Sequence, residues 1–145
     1  RVIVYLKRIL YGLVLLGSVV IVIGPWGLYW LGLHAVNGVP VPPTSVATEA
    51  EINEIWLKFE GKGQPEVVAI SPHDYIYQLY KENINNTGLR LSWQVASSYL
   101  ISNKKYKGNG WWHLSGAALT IWVSRNWSSE QICTRVLEIE GSKEG

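Results

Sequence analysis

The sequence is poor in the residues on which several classes of site depend. It contains no methionine, one cysteine (Cys133) and three histidines among 145 residues. A single cysteine excludes an internal disulfide, and its place in a helical pattern predicts a buried thiol rather than a nucleophile. The spacing of the histidines suggests no shared metal and no catalytic triad. We therefore expect no metal and no cofactor. Without methionine, we also expect a chain that is trimmed or incomplete at its amino end.

Charge is absent from residues 9–33, which would form a helix of about 37 Å, against about 30 Å of bilayer hydrocarbon. This run is longer than the apolar region of a signal peptide, and it ends in aromatic residues suited to a membrane interface. A core helix is the alternative, but about 100 further residues could not surround it. We predict a retained anchor over residues 1–34. The interfacial aromatics are Trp26, Tyr29 and Trp30.

The charge distribution predicts the orientation of this anchor and the class of the rest. Three of the 13 basic residues precede it (Arg1, Lys7 and Arg8), so ten basic and 11 acidic residues follow, a net charge of −1. The positive-inside rule places the amino end in the cytoplasm and the remainder outside it. No clustered basic face is present, so we expect no nucleic-acid partner.

The remainder is rich in helix signals, and no segment alternates cleanly as a strand does. A proline-rich spacer occupies residues 35–46, and a small helical domain follows over residues 47–145. Helices are predicted at about 47–60, from Ser71, at about 90–101, at about 111–126 and from Ser128. Ser71 and Ser128 are the predicted caps. We predict an all-α protein with one transmembrane helix and a bundle of about five more.

Two of these helices carry more detailed expectations. The helix after Ser71 should bury a stripe formed by Tyr75, Ile76, Leu79 and Tyr80, while His73 and Asp74 are interpreted as a solvated helix start. The helix at 111–126 is apolar nearly all round, which is typical of the centre of a bundle. Gly116 in that helix should let a neighbour approach closely.

The order "SWQVASSYLI", a short basic loop and "HLSGAALTIWVSRNWSSEQICTRVLE" resembles part of the peptidoglycan glycosyltransferase domain of penicillin-binding proteins and monofunctional transglycosylases. Ser92 and Gln94 match the family's S-T-I-T-Q-Q-L-x-K-N helix. Arg125, Ser128, Glu130, Ile132 and Leu137 fall where the family has a basic residue, a capping serine, an acidic residue and two apolar core residues. The resemblance covers about 50 residues and implies a lysozyme-like head, an extracytoplasmic location at the bacterial inner membrane, and ligand binding by Ser92, Gln94 and Arg125.

The same resemblance implies a departure from the family's chemistry. Those enzymes use a glutamate as general base in an E-D-x-x-F motif, where this chain reads "AISP" at residues 69–72. Gly116 and Thr134 replace two further acids, and Trp112 and His113 replace a basic pair that would hold a diphosphate. The prediction is a non-catalytic relative. A carboxylate from Glu66, Asp74 or Glu82 beside Gln94 and Arg125 would contradict it.

Trp111 and Trp112 have two interpretations, which the sequence leaves open. They fill a core, or with Lys104, Lys105 and Lys107 they form an aromatic and basic edge for anionic headgroups or a lipid-linked glycan.

Three functions remain for the structure to address. The first is a membrane-anchored, inactive transglycosylase-like protein that binds a cell-wall precursor, a glycan or a cell-wall synthase. The second is an accessory subunit of an envelope membrane complex, and the third is a residual glycosyltransferase.

Overall fold

The computed structural model describes residues 1–36, 38–81, 86–103 and 108–144. Within these ranges the chain forms six α-helices and no β-strand, which confirms the all-α prediction. The helices are α1 (Val2–His34), α2 (Glu49–Lys58), α3 (Pro72–Tyr80), α4 (Thr87–Asn103), α5 (Asn109–Asn126) and α6 (Ser129–Glu144). We call α2–α6 the helical domain.

Helix α1 is the one described helix that is long and apolar enough to cross a membrane. Its first two thirds, to Ile23, are almost entirely exposed. The last turns instead contact α5, where Tyr29 is buried against Ala118 and Ile121. A Cβ added at Gly32 would lie 2.7 Å from the Cβ of Ala118, so the absence of a side chain permits this close approach.

Helix α5 lies at the centre of the domain, where it contacts α1, α3 and α4. Most of its residues from Ser115 to Ser124 are buried, which confirms the prediction of a central helix. A Cβ added at Gly116 would lie 2.7 Å from the Trp93 ring, so the close approach predicted for this glycine is also confirmed. A second cluster joins α2, α4, α5 and α6 and contains Ile55, Leu91, Val123, Ile132 and Cys133, among others.

The predicted helix starts at Ser71 and Ser128 are confirmed. Ser71 Oγ accepts a hydrogen bond from the backbone N–H of Asp74, and the Asp74 carboxylate accepts one from the backbone N–H of Ser71. Ser128 and Gln131 form the same reciprocal pair. Such a pair satisfies two of the donors that a helix start leaves unpaired.

The predicted buried stripe of α3 is wrong for three of its four residues. Ile76, Leu79 and Tyr80 are exposed, Tyr80 by 86%, and only Tyr75 is half-buried against the α1–α5 contact. Helical spacing shows which side chains share a face, but whether that face is covered depends on neighbouring elements. Here α3 reaches α1 and α5 mainly through its first turn.

Two extended segments run back along the domain. The proline-rich spacer lies against α6, where Arg135 Nη2 donates to the carbonyl of Val41 at 3.0 Å and Thr134 Oγ1 accepts from Ala47 N–H at 2.9 Å. The segment before α3 is held at the α5–α6 corner, because Ser124 Oγ accepts from the backbone N–H of Ile70 at 3.0 Å. This second contact sets the position from which α3 begins.

Two backbone carbonyls of α1 accept hydrogen bonds from the helical domain. Pro25 has no N–H, so the carbonyl of Ile21, four residues earlier, has no helical donor. Gly32 lies in the last turn, where carbonyls run out of donors. The domain supplies both donors: His73 Nε2 donates to Ile21 O at 2.9 Å, and Ser115 Oγ donates to Gly32 O at 3.1 Å. His73, interpreted from sequence as a solvated helix start, is therefore bound to α1.

Candidate functional site

A groove of about 420 Å³ opens between α3, α4 and α5. We call it the apolar groove. Helix spacing supplies its walls in pairs: Tyr75 and Leu79 lie one turn apart on α3, and His113 and Ala117 lie one turn apart on α5. Helix α4 supplies the floor between them. The lining residues are Phe59, Tyr75, Leu79, Leu89, Arg90, Trp93, Gln94, His113 and Ala117.

Arg90 provides the positive charge of the apolar groove. Its Nη1 donates to the carbonyl of Phe59 at 3.2 Å and lies 3.6 Å from a carboxylate oxygen of Glu60, and its guanidinium lies 5.6 Å from the Phe59 ring centroid. Phe59 ends α2, so this carbonyl is at the negative end of a helix dipole. The Arg90 side chain remains 40% exposed and Glu60 84% exposed, which leaves guanidinium N–H groups available to an anion.

Trp93 forms an aromatic wall of the apolar groove. Its ring lies against Gly116 and meets the Trp112 ring edge-on, with the centroids 5.4 Å apart. Trp112 in turn is half-buried against the cluster of Val36, Leu100 and Leu119. Trp112 therefore packs in part against the core. Trp111 is half-buried.

The predicted ligand-binding residues of α4 have different environments. Gln94 lines the apolar groove, one helical turn after Arg90. Ser92 is fully buried, and its Oγ donates to the carbonyl of Gly88 at 2.8 Å. Gln94 is thus placed to meet a ligand, whereas the Ser92 hydroxyl is committed to its own helix.

Arg125 is not among the residues that line the apolar groove. Its guanidinium lies 5.5 Å from the centroid of the Trp26 ring, beside the last turns of α1. The structure therefore does not bring Arg125 together with Gln94. Trp26 meets Tyr29 edge-on at 5.9 Å, so these two predicted interface residues form one aromatic pair.

The predicted membrane-interface residues are divided between core and surface. Tyr29 is buried by α5, whereas Trp30 is 63% exposed. Lys104, Lys105 and Lys107 lie outside the described residues.

A larger and more polar groove, of about 970 Å³, lies on the other side of Arg90. We call it the polar groove. Two of the carboxylates near the site, those of Glu60 and Glu66, line it together with Lys62 and Lys81. Arg90 lines both grooves, so a ligand in either one would meet the same guanidinium.

A carboxylate of Glu66, Asp74 or Glu82 beside Gln94 and Arg125 would contradict the prediction of a non-catalytic chain. Glu66 lines the polar groove with Arg90 and not the apolar groove with Gln94. The carboxylate of Asp74 accepts hydrogen bonds from the side chain and backbone of Ser71, and these bonds lower its pKa from the ordinary 3.8. Glu82 lies outside the described residues. Glu66 is therefore the acid to test for residual chemistry.

The cysteine is buried, as predicted. Cys133 is fully inaccessible in the cluster around α6, and burial, with a smaller contribution from the charge of Glu130, raises the pKa of its thiol to about 11. A thiol with this pKa is protonated at neutral pH and is not a nucleophile. Within the described ranges, no three His, Cys, Asp or Glu residues are grouped so as to hold a metal ion.

Of the lining residues, the sequence interpretation assigned only Gln94 to ligand binding, and it missed Arg90 and Trp93, which carry the charge and an aromatic wall of the apolar groove. The available signal was their spacing, because Arg90 lies four residues before Gln94 and therefore on the same face of α4. Whether α3 and α5 cover that face depends on tertiary packing, which helical periodicity does not predict.

Comparison with known protein families, with curated proteins and with solved structures found no match.

Proposed function

We propose that this chain is a membrane-anchored, transglycosylase-like protein that binds a lipid-linked cell-wall precursor or glycan in the apolar groove without turning it over. In this proposal α1 spans the bacterial inner membrane, its amino end is cytoplasmic, and the helical domain lies in the periplasm. The positive residues before the uncharged run support this orientation.

One observation carries the binding proposal: an arginine and an amide lie one turn apart in a groove walled by aromatic rings, and Tyr75 of that groove also packs against α1. Guanidinium groups bind phosphate oxygens strongly, and a glutamine amide offers both a donor and an acceptor to a sugar hydroxyl. The rings and Leu79 offer apolar surface to a lipid portion. A groove close to the anchor is accessible to a ligand that stays attached to the bilayer.

The absence of turnover rests on the sequence departures at residues 69–72, Gly116 and Thr134. Residual glycosyltransferase activity is the alternative. It would use Glu66, which lines the polar groove together with Arg90. Polymer formed from lipid-linked substrate by the wild-type chain, and lost in Glu66→Gln, would contradict the non-catalytic proposal.

The test of binding is a titration of the full chain, in detergent, with a lipid-linked disaccharide diphosphate. Tryptophan fluorescence is the readout, because Trp93 forms a wall of the groove. We expect Gln94→Ala to weaken binding about fivefold to tenfold, the value of roughly one hydrogen bond to a neutral group. Arg90→Ala should weaken it more, since a charge-assisted contact is lost.

Arg125→Ala is the matched control, because it removes the same kind of charge beside Trp26 and outside the groove. Equal affinity for wild type, Gln94→Ala and Arg90→Ala would contradict the groove as the binding site. Weaker binding in Arg125→Ala alone would place the ligand at the end of α1 instead.

An accessory subunit of an envelope complex is the second candidate function. The exposed apolar residues where α1 meets the spacer favour it, notably Trp30 and Val41. A partner such as a cell-wall synthase would cover them, and it should copurify in mild detergent with the wild type and be lost from the Trp30→Ala/Val41→Asp variant. Retention of the partner by that variant would contradict this surface.

A further inference from the structure

Helix α3 presents apolar and aromatic side chains that stay largely exposed in the described part of the chain. It has nine residues, and four of them are large, apolar or aromatic, and exposed. A cluster of this kind on a short helix usually marks an interaction surface. We call it the α3 face, formed by Ile76, Tyr77, Leu79 and Tyr80.

The first turn of α3 is fixed against the apolar part of α1. His73 Nε2 donates to the carbonyl of Ile21, which Pro25 leaves without a helical donor. Tyr75 packs in the cluster that contains Tyr29. The start of α3 therefore lies beside residues 21–29 of α1.

The length of α1 indicates what surrounds this region. The uncharged run begins at Ile9, and α1 is exposed almost without interruption up to Ile23. That exposed stretch is about 22 Å long, whereas the hydrocarbon of a bilayer is about 30 Å thick. About five more residues must lie in hydrocarbon, which places the bilayer edge near Leu28. The first turn of α3 reaches Ile21 through His73 and Tyr29 through Tyr75, so it lies around this level.

We propose that the α3 face docks into the lipid of the bilayer's outer interface, and that His73 holds α3 there by its hydrogen bond to Ile21 O. Lipid is the occupant because the α3 face lies on a helix whose first turn is hydrogen-bonded to the exposed, apolar part of α1. Tyrosine is typical of the headgroup level, and Lys81, whose Nζ lies 4.9 Å from the Tyr77 ring centroid, can meet anionic headgroups. This inference goes beyond glycan binding and requires only that α1 spans the membrane.

Because the chain has a single cysteine, its removal allows a label to be attached at one chosen position. Cys133 is fully buried and is removed as Cys133→Ser. In that background, Tyr80→Cys is labelled with an environment-sensitive fluorophore, and the full chain is reconstituted into phosphatidylethanolamine–phosphatidylglycerol vesicles. Leu57→Cys, an exposed apolar position on α2, is the matched control, and Leu15→Cys on α1 marks the lipid interior.

We expect the label at position 80 to emit further to the blue than the label at 57, to be quenched by headgroup-proximal spin-labelled lipid, and to be protected from aqueous iodide. Adding His73→Leu should reduce this protection, whereas His73→Gln, which keeps a side-chain donor, should retain it. The vesicles contain no glycan, so the result is independent of whether the apolar groove binds one.

Iodide access at position 80 equal to that at 57 would overturn the proposal, whether or not position 15 is in lipid. Protection at position 80 in native membranes but not in vesicles would overturn it in favour of a protein partner. If protection is unchanged in His73→Leu, the part assigned to His73 is wrong.

Discussion

The two parts of α1 have opposite environments. Up to Ile23 the helix is exposed on every side, whereas from Trp26 onward it packs against α5. Leucine and glycine occur in both parts, so residue type alone does not decide whether such a position is packed or exposed. Packing requires a position where the backbones can approach, such as Gly32, and a donor for an unpaired carbonyl, such as Ser115. The same residue types therefore have different energetic roles in the two parts, and matched substitutions should reveal the difference.

The largest difference in the free energy of unfolding should come from leucine-to-alanine substitutions. Leu119 is fully buried in α5, and Leu15 is 68% exposed on α1. Leu119→Ala should lower the free energy of unfolding by about 2–5 kcal/mol, because it leaves a cavity. Leu15→Ala should change it by less than about 0.5 kcal/mol. Thermal unfolding in detergent, followed by near-ultraviolet circular dichroism, measures both. Equal effects would contradict the assignment of two environments.

Glycine-to-alanine substitutions should give the next largest difference in the free energy of unfolding. A Cβ at Gly32 would lie 2.7 Å from the Cβ of Ala118 and 2.8 Å from the carbonyl oxygen of Leu114, whereas a Cβ at Gly17 meets nothing within 4 Å. Gly32→Ala should therefore destabilise the chain by about 1–3 kcal/mol through overpacking. Gly17→Ala should be neutral or stabilising by up to about 1 kcal/mol, since alanine favours helix. Unfolding of the two variants side by side decides this, and a stable Gly32→Ala would mean that α1 is free to move away from α5.

Serine-to-alanine substitutions should give a smaller difference in the free energy of unfolding. Ser115 Oγ donates to Gly32 O across the α1–α5 contact, while Ser18 Oγ donates to Val14 O within α1. Ser115→Ala should cost about 0.5–1.5 kcal/mol, because a buried hydrogen bond is lost and the carbonyl at the helix end is left unpaired. Ser18→Ala should cost less, since the Val14 carbonyl keeps its helical donor. Hydrogen exchange at the end of α1 would report the change, and equal exchange in both variants would contradict it.

The smallest expected effect is the loss of stability at acidic pH. The pKa of Asp74 is lowered by hydrogen bonds from Ser71, so the contribution of this cap to stability is present above the unfolded pKa of 3.8 and is lost as pH falls through the lower folded pKa. Glu51 follows the same rule through Thr48. The exposed part of α1 contains no acid. Loss of circular dichroism below about pH 4 should therefore come from the helical domain, and it should be shallower in Asp74→Ala.

Local signals in the sequence were sufficient for the elements of the fold. Ser71 and Ser128 each carry a partner three residues later, and this spacing defines a helix start without help from the rest of the chain. The central place of α5 also followed from the sequence, because a helix that is apolar nearly all round has no face to expose to water.

Contacts between distant segments were not predictable in this way. The exposed Ile76 and Leu79 of α3 follow the same spacing as a buried stripe, and only the packing of the other helices decides that they stay exposed. His73 was interpreted as solvated because nothing in its neighbourhood reveals the carbonyl of Ile21, 52 residues earlier. Pro25 was the one local sign that a carbonyl lacked a donor.

The candidate site was predicted in part for the same reason. The resemblance indicated Gln94, which lines the apolar groove, but it also indicated Ser92 and Arg125, which do not line it. A motif match assigns residues to a helix. The direction in which each side chain points depends on the elements that pack around its helix. Here Ser92 faces the core and Arg125 faces Trp26.

The two hydrogen bonds from the domain to α1 have a mechanical consequence. Ile21 and Gly32 are 11 residues apart, which is almost a whole number of helical turns at about 100° per residue, so their carbonyls point to nearly the same side. A rotation or a one-residue slide of α1 would break both bonds together. The last turns of α1 therefore cannot turn or shift along their axis without separating from α3 and α5 at the same time.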